Sequence, residues 1–508
     1  MLRNIQSSQK MRSMPGLPKI RERRMKVYMK YVIDSRYRLR GWHGAPSGIY
    51  DTRKKSAVFV DQGLYKLLIR CDGSQEIDPT CLSKQEQEFL HALLKEKIIR
   101  PAGFWDVLLP EQRYHAYPAR YRKSAHWSIT GTCNMRCRHC FISAPHAKHG
   151  SPNHAEIMDI VDQLAECGVY SVAITGGEPL IREDFLDIVE ALNRHEITLT
   201  TIYTNGWLLD EAFLDSLEKK GVRPSFQLSF DGIGWHDFLR GVPGAEEKTI
   251  TALKLLQKRN YSVSISMCLH QKNKSVLRES VLLLASLGVK SLKCSSMMEL
   301  GEWASEQTVS LRLAKQEEFA LFEEYIPQYF ADDAPLSIAL SGAFAYNKGS
   351  HDWMIGYLRK CPRDQENRQP ACPVLKDSFY IGADGLVAPC QGMGDCNFSK
   401  NLPSLKEMPL HQILTDSTYV HYSYATVGDV RQGNNACLKC DYIDRCAGSC
   451  RNSALITSNN YYGVDPDACL FFQNGWEDRI KTAAQPAFEE YIRRNPPTKD
   501  TGNDLPCL

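Results

Sequence analysis

The sequence predicts an α/β protein built around a partial (β/α)6 barrel of the TIM type. From about residue 125 to residue 294, short apolar runs alternate with stretches of helical periodicity. This alternation is typical of βα units arranged around a parallel sheet. About six units fit into this stretch, whereas a closed barrel of eight units needs about 250 residues. We therefore expect an open barrel.

Each predicted strand is a short apolar run, and each predicted helix carries its apolar residues on one face. The predicted strands are 126–130, 170–175, 197–203, 226–230, 262–269 and 289–294. The helices predicted between them are 157–164, 185–192, 246–259 and 275–287. The barrel domain is expected to span residues 121–334.

Two different segments precede the barrel. Residues 1–40 contain 12 Lys or Arg and two acids, so residues 1–44 are predicted to be a basic arm. The arm is either a solvated extension or a surface for an acidic partner. Residues 45–120 have the size of a winged-helix-like α+β module, with strands at 57–60 and 98–100 and helices at 63–69 and 85–96.

After the barrel, residues 335–484 are rich in Gly, Pro and Cys and lose the regular alternation. We expect little conventional core there and expect metal sites to hold the region together. The last segment, residues 485–508, is predicted to be a flexible tail.

The overall composition favours a protein with metal sites in a reducing compartment. A net charge of +3 points to no particular partner, and nucleic acid is not expected. No apolar run approaches the roughly 20 residues of a membrane span, and the first residues lack the apolar core of a signal peptide, so we expect no membrane association and a cytoplasmic location. In that setting, 18 cysteines at short spacings are more often metal ligands than disulfides.

The first cysteine group follows the first predicted barrel strand and consists of Cys133, Cys137 and Cys140. Three thiolates within eight residues can hold one [4Fe–4S] cubane and leave one iron open to a small chelating molecule. Structural zinc is the alternative, but it requires four ligands. The C-x3-C-x2-C spacing at this place resembles the radical S-adenosylmethionine (radical SAM) superfamily.

The resemblance implies that S-adenosylmethionine binds the open iron and is cleaved to methionine and a 5′-deoxyadenosyl radical. It implies that His139 lies near the adenine and that the glycines of Gly176-Gly177-Glu178-Pro179 let the backbone approach the ligand. Glu178 would accept hydrogen bonds from the methionine ammonium, and Arg240 would pair with the cofactor's carboxylate. The full set of implied cofactor contacts is His139, Gly176, Gly177, Glu178, Asn205, Ser229, Asp231 and Arg240. No catalytic residue or general base is predicted.

The second cysteine group resembles the SPASM extension, which carries two auxiliary iron–sulfur clusters. It reads Cys437-x2-Cys440-x5-Cys446-x3-Cys450, followed by Cys469 and preceded by Cys372 and Cys390. The resemblance assigns Cys437, Cys440, Cys446 and Cys469 to a distal cluster. It assigns Cys372, Cys390 and Cys450 to a proximal cluster, whose fourth ligand is Cys361, Cys396 or absent. With the barrel cluster this makes three [4Fe–4S] clusters; a zinc-ribbon-like site is the alternative.

Proteins with this extension mostly modify peptides, and the N-terminal stretch resembles the element by which many such maturases bind a leader peptide as an added strand. A DNA-binding winged helix is the alternative for that stretch. The sequence thus predicts a peptide-modifying enzyme that acts on a ribosomally made precursor and receives electrons from a reductant such as ferredoxin or flavodoxin. The predicted product is a thioether, with a C–C bond, an ether or an epimer still open.

Two other functions compete with this one. A sulfatase-type maturase would oxidise Cys or Ser to formylglycine, but those relatives have Asp where this chain has Gln391. A zinc-binding winged-helix regulator would explain the basic arm, but it leaves the first cysteine group and the barrel without a role.

Overall fold

The structure, a computed structural model, describes residues 29–496, and these fall into two units. The smaller unit contains the described residues up to 39 together with residues 60–113. The larger unit contains residues 40–59 and the described residues from 114 onward.

The strands and helices are numbered along the chain. The strands are β1 (Met29–Ile33), β2 (Tyr37–Trp42), β3 (Ala45–Asp51), β4 (Ser56–Phe59), β5 (Asp72–Ile77), β6 (Ile99–Pro101), β7 (His115–Ala116), β8 (Ser124–Ser128), β9 (Ser171–Thr175), β10 (Thr198–Thr204), β11 (Ser225–Ser229), β12 (Val263–Cys268), β13 (Ser291–Ser295), β14 (Ser337–Leu340), β15 (Phe344–Asn347), β16 (Asp352–Met354), β17 (Ser378–Ile381) and β18 (Val387–Ala388). The helices up to the end of the barrel are α1 (Gln62–Ile69), α2 (Lys84–Lys95), α3 (His154–Glu166), α4 (Phe185–Arg194), α5 (Glu211–Lys219), α6 (His236–Arg240), α7 (Ala245–Lys258), α8 (Leu277–Ser286) and α9 (Lys315–Ala331). The later helices are α10 (Val374–Asp377), α11 (Gln391–Asp395), α12 (Leu410–Ile413), α13 (Thr418–Ser423), α14 (Val427–Gln432), α15 (Asn435–Leu438), α16 (Ile443–Cys446), α17 (Arg451–Ser458), α18 (Pro466–Gln473) and α19 (Trp476–Arg494).

In the larger unit, one sheet has the strand order β16-β15-β14-β13-β12-β11-β10-β9-β8-β17-β18. Strands β8 to β14 run parallel to their neighbours, and helices α3, α4, α5, α7 and α8 lie between successive strands in the sequence. The α/β fold class and the partial barrel are thereby confirmed. All six predicted strands are present. The structure adds a further parallel strand, β14, whose Ile338 and Leu340 are buried.

The edge of the barrel sheet beside β8 is covered by a strand from the C-terminal region. Strand β17 pairs in parallel with β8, with Ser378 opposite Ser124 and Ile381 opposite Trp127. Strand β18 then pairs antiparallel with β17. The sheet therefore continues from the barrel directly into the cysteine-rich region.

The smaller unit has an antiparallel sheet of the order β5-β1-β6 and two helices. Asp61 caps the start of α1, and a Ser83/Glu86 capping box starts α2, as expected for these residue types at helix N-termini. Leu67, Leu68, Leu90 and Leu93 are the buried apolar residues of these helices, together with Tyr65.

Several expectations for the ends of the chain need correction. Residues 29–44, assigned to the basic arm, form β1 and β2, because β1 supplies the central strand of the smaller unit's sheet. Residues 45–59, assigned to the N-terminal module, belong to the larger unit. Residues 1–28 of the arm lie outside the described part of the chain.

The predicted tail also begins too early. Helix α19 continues to Arg494 and packs on α9, where Phe330 contacts Phe488 and Tyr491. The cysteine-rich region has more core than expected, since Leu375, Tyr380, Met393 and Leu455 are buried in one cluster. Within residues 29–496, no helix is both long and apolar enough to cross a membrane.

Candidate functional site

The three cysteines of the first group lie on the loop that follows β8. The thiols of Cys137 and Cys140 are near enough to that of Cys133 to interact with it electrostatically. The loop is held by main-chain hydrogen bonds from Arg136 to the carbonyl of Arg240 (3.2 Å) and from Arg138 to that of Leu239 (2.9 Å). Helix α6 therefore fixes the position of this loop.

The glycine turn after β9 packs directly against the start of the cysteine loop. Gly177 donates its main-chain N–H to Thr130 (2.8 Å), and Glu178 donates to Thr132 (2.9 Å). A Cβ on Gly177 would lie 2.5 Å from the carbonyl carbon of Thr132, and one on Gly176 would lie 2.6 Å from the carbonyl oxygen of Thr130. In this structure the glycines allow close approach to the chain's own backbone, in addition to any approach to a ligand.

Glu178 is fully buried beneath this turn. Its carboxylate accepts hydrogen bonds from Thr204 Oγ1 (2.7 Å) and from the main-chain N–H groups of Asn205 (2.8 Å) and Leu180 (3.1 Å). Burial raises the pKa of Glu178 to about 7. Asn205 in turn donates from Nδ2 to Asn134 Oδ1 (2.7 Å), which ties the end of β10 to the cysteine loop.

Asp231 and Arg240 form a buried ion pair at the ends of β11 and α6. Arg240 Nε donates to Asp231 Oδ2 (2.7 Å), and its Nη1 donates to Cys137 Sγ (3.8 Å). Burial acts to raise the pKa of Asp231, but the Arg240 guanidinium and the adjacent His236 ring outweigh it and hold the pKa well below its usual range. Arg240, assigned to the cofactor carboxylate, is thus already paired through Nε, while its Nη1 faces Cys137 of the cysteine loop.

His139 and Ser229 lie in the same area. One ligand atom each of His139, Asp231 and Cys268 lies within 4.8 Å of the others, and His139 Nδ1 has no hydrogen-bond partner among the described residues. Burial lowers the pKa of His139 to about 3, so the ring is neutral. Ser229, the last residue of β11, is half-buried. An aromatic, neutral His139 with an unpaired nitrogen is suited to contact a purine.

The cysteines of the C-terminal region form two groups. Cys437, Cys440 and Cys469 all interact electrostatically with Cys446, as expected for four ligands of one cluster. Cys450 and Cys372 interact in the same way with Cys390. The division into a distal and a proximal set is therefore present in the geometry, and the ligand roles themselves stay predictions.

The two candidates for a fourth proximal ligand differ in their surroundings. Cys361 packs against Val427 and Ala447, and it interacts with the same guanidinium, that of Arg359, as Cys372 does. Cys396 is buried, and its thiol donates to the carbonyl of Met393 (3.5 Å). Cys396 packs in the same apolar cluster as Cys372 and Cys390, so the assignment of Cys361 stays a prediction from the resemblance.

The donor set fits iron–sulfur clusters and their negative charge. Two arginines of the cysteine-rich region, the buried Arg451 and the half-buried Arg359, donate only to main-chain carbonyls. The Nε of Arg451 is buried without a partner among the described residues. Thiolate-ligated clusters supply the opposite charge that these cations lack.

A group of polar residues that sequence reasoning missed lines a cavity of about 770 Å³. The cavity lies between the loops after β12 and β13 and the helices α17 and α18. On its wall, Lys315 Nζ lies 2.9 Å from Glu318 and 3.4 Å from Asp467, and it also contacts Ser296 Oγ. Lys315 and Asp467 are about 150 residues apart, so no spacing in the sequence could have revealed the group.

Comparison with known families defines the class of this protein. Residues 127–284 match the radical SAM superfamily, and residues 372–441 match SPASM, an iron–sulfur cluster-binding domain. The chain therefore contains a radical SAM domain and a SPASM iron–sulfur cluster-binding domain. The zinc-dependent regulator considered from the sequence is set aside by these matches.

Relatives of this chain act on different substrates. It is 23% identical to the AdoMet-dependent heme synthase of Methanosarcina barkeri, over 68% of this chain and 95% of that protein. It is 22% identical to the PqqA peptide cyclase of Gluconobacter oxydans, over 70% of this chain and 92% of that one. Streptococcus suis SuiB bound to its precursor peptide SuiA has a similar fold, with a TM-score of 0.57 and 16% identity, covering 86% of this chain and 99% of that one.

Proposed function

We propose that this enzyme modifies a ribosomally made precursor peptide, using three [4Fe–4S] clusters and S-adenosylmethionine. The observation that carries the proposal is a surface of the smaller unit that suits a peptide and has no role in modifying a tetrapyrrole. The peptide cyclase among its relatives, and the fold shared with a protein bound to its precursor peptide, support the same conclusion.

That surface, which we call the aromatic turn, comprises residues 103–107 directly after the edge strand β6. Asp106 accepts hydrogen bonds from the guanidinium of Arg100 (2.5 and 3.0 Å) and from the Gly103 N–H (2.7 Å), which fixes the turn. Phe104 and Trp105 project from it with 88% and 86% of their surface exposed. Large exposed apolar patches beside a free strand edge are typical of peptide-binding surfaces.

We propose that the leader adds as a strand at β6 or β5, the two edges of the small sheet, and is anchored by the aromatic turn. β5 offers Ser74, Gln75 and Glu76 as exposed residues, and β6 offers Arg100. Main-chain hydrogen bonds would supply affinity, and the aromatic pair would supply a buried anchor of the kind that dominates interface energies.

The core of the peptide is proposed to occupy the cavity at the barrel mouth. S-adenosylmethionine, when bound to the first cluster, supplies a radical that removes a hydrogen atom from the substrate. Glu178, Asn205, Asp231 and Arg240 hold the loop that carries this cluster. The apolar wall, which includes Leu269, Met297, Trp303 and Ile456, excludes water from the reacting carbon.

Thioether formation is the proposed outcome, with the auxiliary clusters accepting one electron and a ferredoxin or flavodoxin supplying reducing equivalents. The cavity wall carries Lys315, Glu318 and Asp467 and thus offers hydrogen-bonding groups to a polar substrate segment. The cytoplasmic location stays a prediction from the sequence.

The test uses the anaerobically reconstituted enzyme, S-adenosylmethionine, dithionite and a synthetic peptide translated from a short reading frame beside the gene. We expect the peptide to lose about two mass units and, for a thioether, to lose reactivity toward iodoacetamide. A product that reacts with hydrazide would indicate formylglycine instead. Turnover of an iron tetrapyrrole without turnover of the peptide would refute the proposal.

Docking is tested separately with Trp105→Ser and Phe104→Ser. Because such anchors contribute about 2 kcal/mol or more, KM for the full precursor should rise by roughly 30-fold, with kcat little changed. Val374→Ser is the matched control, since Val374 is 49% exposed but lies in the larger unit. Equal KM values for all three variants would contradict docking at the aromatic turn.

A further inference from the structure

Arg451 is a buried cation and Arg359 a half-buried one, and neither has an anionic partner among the residues that the structure describes. Arg359 donates to the carbonyls of Ala371 (2.6 Å) and Pro370 (3.1 Å), and more weakly to that of Ser449 (3.4 Å). Arg451 is only 1% exposed and donates to carbonyl groups, including that of Gly463 (2.8 Å). Among residues 29–496, neither guanidinium has a carboxylate within salt-bridge distance.

An arginine without a compensating partner is unusual even within this chain. Arg240 is paired with Asp231, and Arg431 is paired with Glu366 at 2.7 Å. Arg122 is buried without a carboxylate, but its guanidinium lies over the rings of two tyrosines. A buried charge with no compensation is strongly destabilising, so an opposite charge is expected near Arg359 and Arg451.

Arg359 contacts the chain next to cysteines of both auxiliary sets. The carbonyls that it binds include those of Ala371 and Ser449, the residues directly before Cys372 and Cys450. Its main-chain N–H donates to the carbonyl of Arg445 (2.7 Å), directly before Cys446. It interacts electrostatically with Cys372 of the proximal set and Cys446 of the distal set.

Arg451 follows Cys450 and reaches the distal set. Its guanidinium spans from Gly448 to the carbonyls of Tyr461 (3.0 Å) and Gly463, in the loop that leads to Cys469. It interacts electrostatically with Cys437 and Cys469. The two guanidinium groups interact with each other and together adjoin both cysteine sets.

We propose that Arg359 and Arg451 compensate the negative charge of the two auxiliary clusters and raise their reduction potentials, so that both clusters can accept an electron from the substrate. The inference rests on the two auxiliary clusters of the proposed function. In the step concerned, the substrate radical loses one electron as the new bond forms, the attacking group releases a proton to solvent, and a cluster goes from the 2+ to the 1+ state. Cluster potentials respond to net charge and to nearby hydrogen-bond donors, which makes these residues positioning groups for electron acceptance.

The test is a reductive titration of the reconstituted enzyme without substrate, followed by electron paramagnetic resonance. At a fixed solution potential, the ratio of reduced to oxidised auxiliary cluster should fall about tenfold in Arg451→Gln and in Arg359→Gln, because one buried positive charge is lost close to each cluster. Arg451→Lys, which keeps the charge, should restore most of the ratio. Arg479→Gln is the control, since Arg479 is half-exposed and paired with Glu323.

Iron content separates the possible results. A Gln variant with full iron and an unchanged ratio would overturn the proposal, as would a wild-type enzyme that binds only about four iron. If a Gln variant loses its auxiliary iron while Arg451→Lys keeps it, charge compensation is supported through assembly of the clusters. If the auxiliary clusters are reduced as expected but the wild-type enzyme modifies no peptide, the proposed function is refuted and this inference stands.

Discussion

His149 joins the cysteine loop of the barrel to the cysteine-rich region, and this connection should weaken at alkaline pH. Its Nδ1 lies 2.7 Å from Asp384 Oδ2, and its Nε2 lies 2.8 Å from Asp395 Oδ1. Asp384 and Asp395 flank the segment that contains Cys390. The next residue, Gly150, accepts a hydrogen bond from Gly131 (2.7 Å) at the start of the cysteine loop.

The free energy that this connection contributes to folding follows from the shift in the pKa of His149. The hydrogen bond to Asp384 and the adjacent carboxylate of Asp395 raise the pKa of His149 to about 9, against the opposing effect of burial. Relative to an unperturbed value of about 6.5, the shift corresponds to about 3 kcal/mol as an upper value. The His149 side chain is 16% exposed, so solvent screening reduces this figure only modestly.

The direction in which stability changes with pH follows from the raised pKa of His149. The stabilisation is fully present below about pH 6.5, where both the folded and the unfolded states bind the proton, and it is lost as the pH rises through about 9. The charged groups that act on the site are Asp384, Asp395 and Lys148. Burial raises the pKa of Asp395 even though His149 lies beside it, and Asp395 Oδ2 has no hydrogen-bond donor among the described residues.

The measurement is hydrogen exchange by mass spectrometry on the reconstituted enzyme at pH 6.5 and pH 9.5, corrected for intrinsic exchange rates. Peptides covering residues 131–150 and 382–396 should lose protection at the higher pH, while peptides covering α7 should not. His149→Gln should show weak protection at both pH values. If the wild type and His149→Gln exchange alike at pH 6.5, the reasoning about the paired imidazolium is wrong.

Two further predictions concern the clusters themselves. Gly177→Ala should lose the barrel cluster and keep the auxiliary iron, because the new Cβ would force the main chain at Thr132 to move. The iron content of this variant is compared with that of Gly349→Ala as the control. Full iron content with intact cofactor cleavage in Gly177→Ala would contradict the prediction. Cys361→Ser should alter the resonance signal of the reduced proximal cluster, whereas Cys396→Ser should leave it unchanged. A signal that responds only to Cys396→Ser would reverse the assignment.

Local patterns in the sequence were sufficient to predict the strands and helices of the barrel. The strands predicted at 226–230 and 289–294 are observed one or two residues away, at Ser225–Ser229 and Ser291–Ser295. A short apolar run between two amphipathic helices is typical of a buried strand, which is why these predictions succeeded. Helices α7 and α8 were predicted for the same reason. The division of the C-terminal cysteines into two groups came from the resemblance to the SPASM extension.

Features that depend on tertiary partners could not be predicted in this way. The four residues of β17 carry no signal for a parallel neighbour, since β8 lies far away in the sequence. The pairing of Arg240 with Asp231 competes with the expected contact to the cofactor and depends on where α6 packs. The flexible tail predicted from residue 485 was wrong for residues 485–494, because the polar surface of α19 conceals the apolar face, with Ile480 and Tyr491, that packs on α9.

The pairing of β17 with β8 has a consequence for synthesis of the chain. Strand β8 emerges from the ribosome about 250 residues before β17, which corresponds to roughly 13–50 s at 5–20 residues per second. During this interval the nascent barrel exposes an unpaired strand edge, which is a template for aggregation. A gene truncated after the barrel would make that interval permanent, so the isolated barrel is expected to accumulate in the insoluble fraction. Slower translation before residue 378 would lengthen the exposure, and production with abundant chaperones is the corresponding remedy.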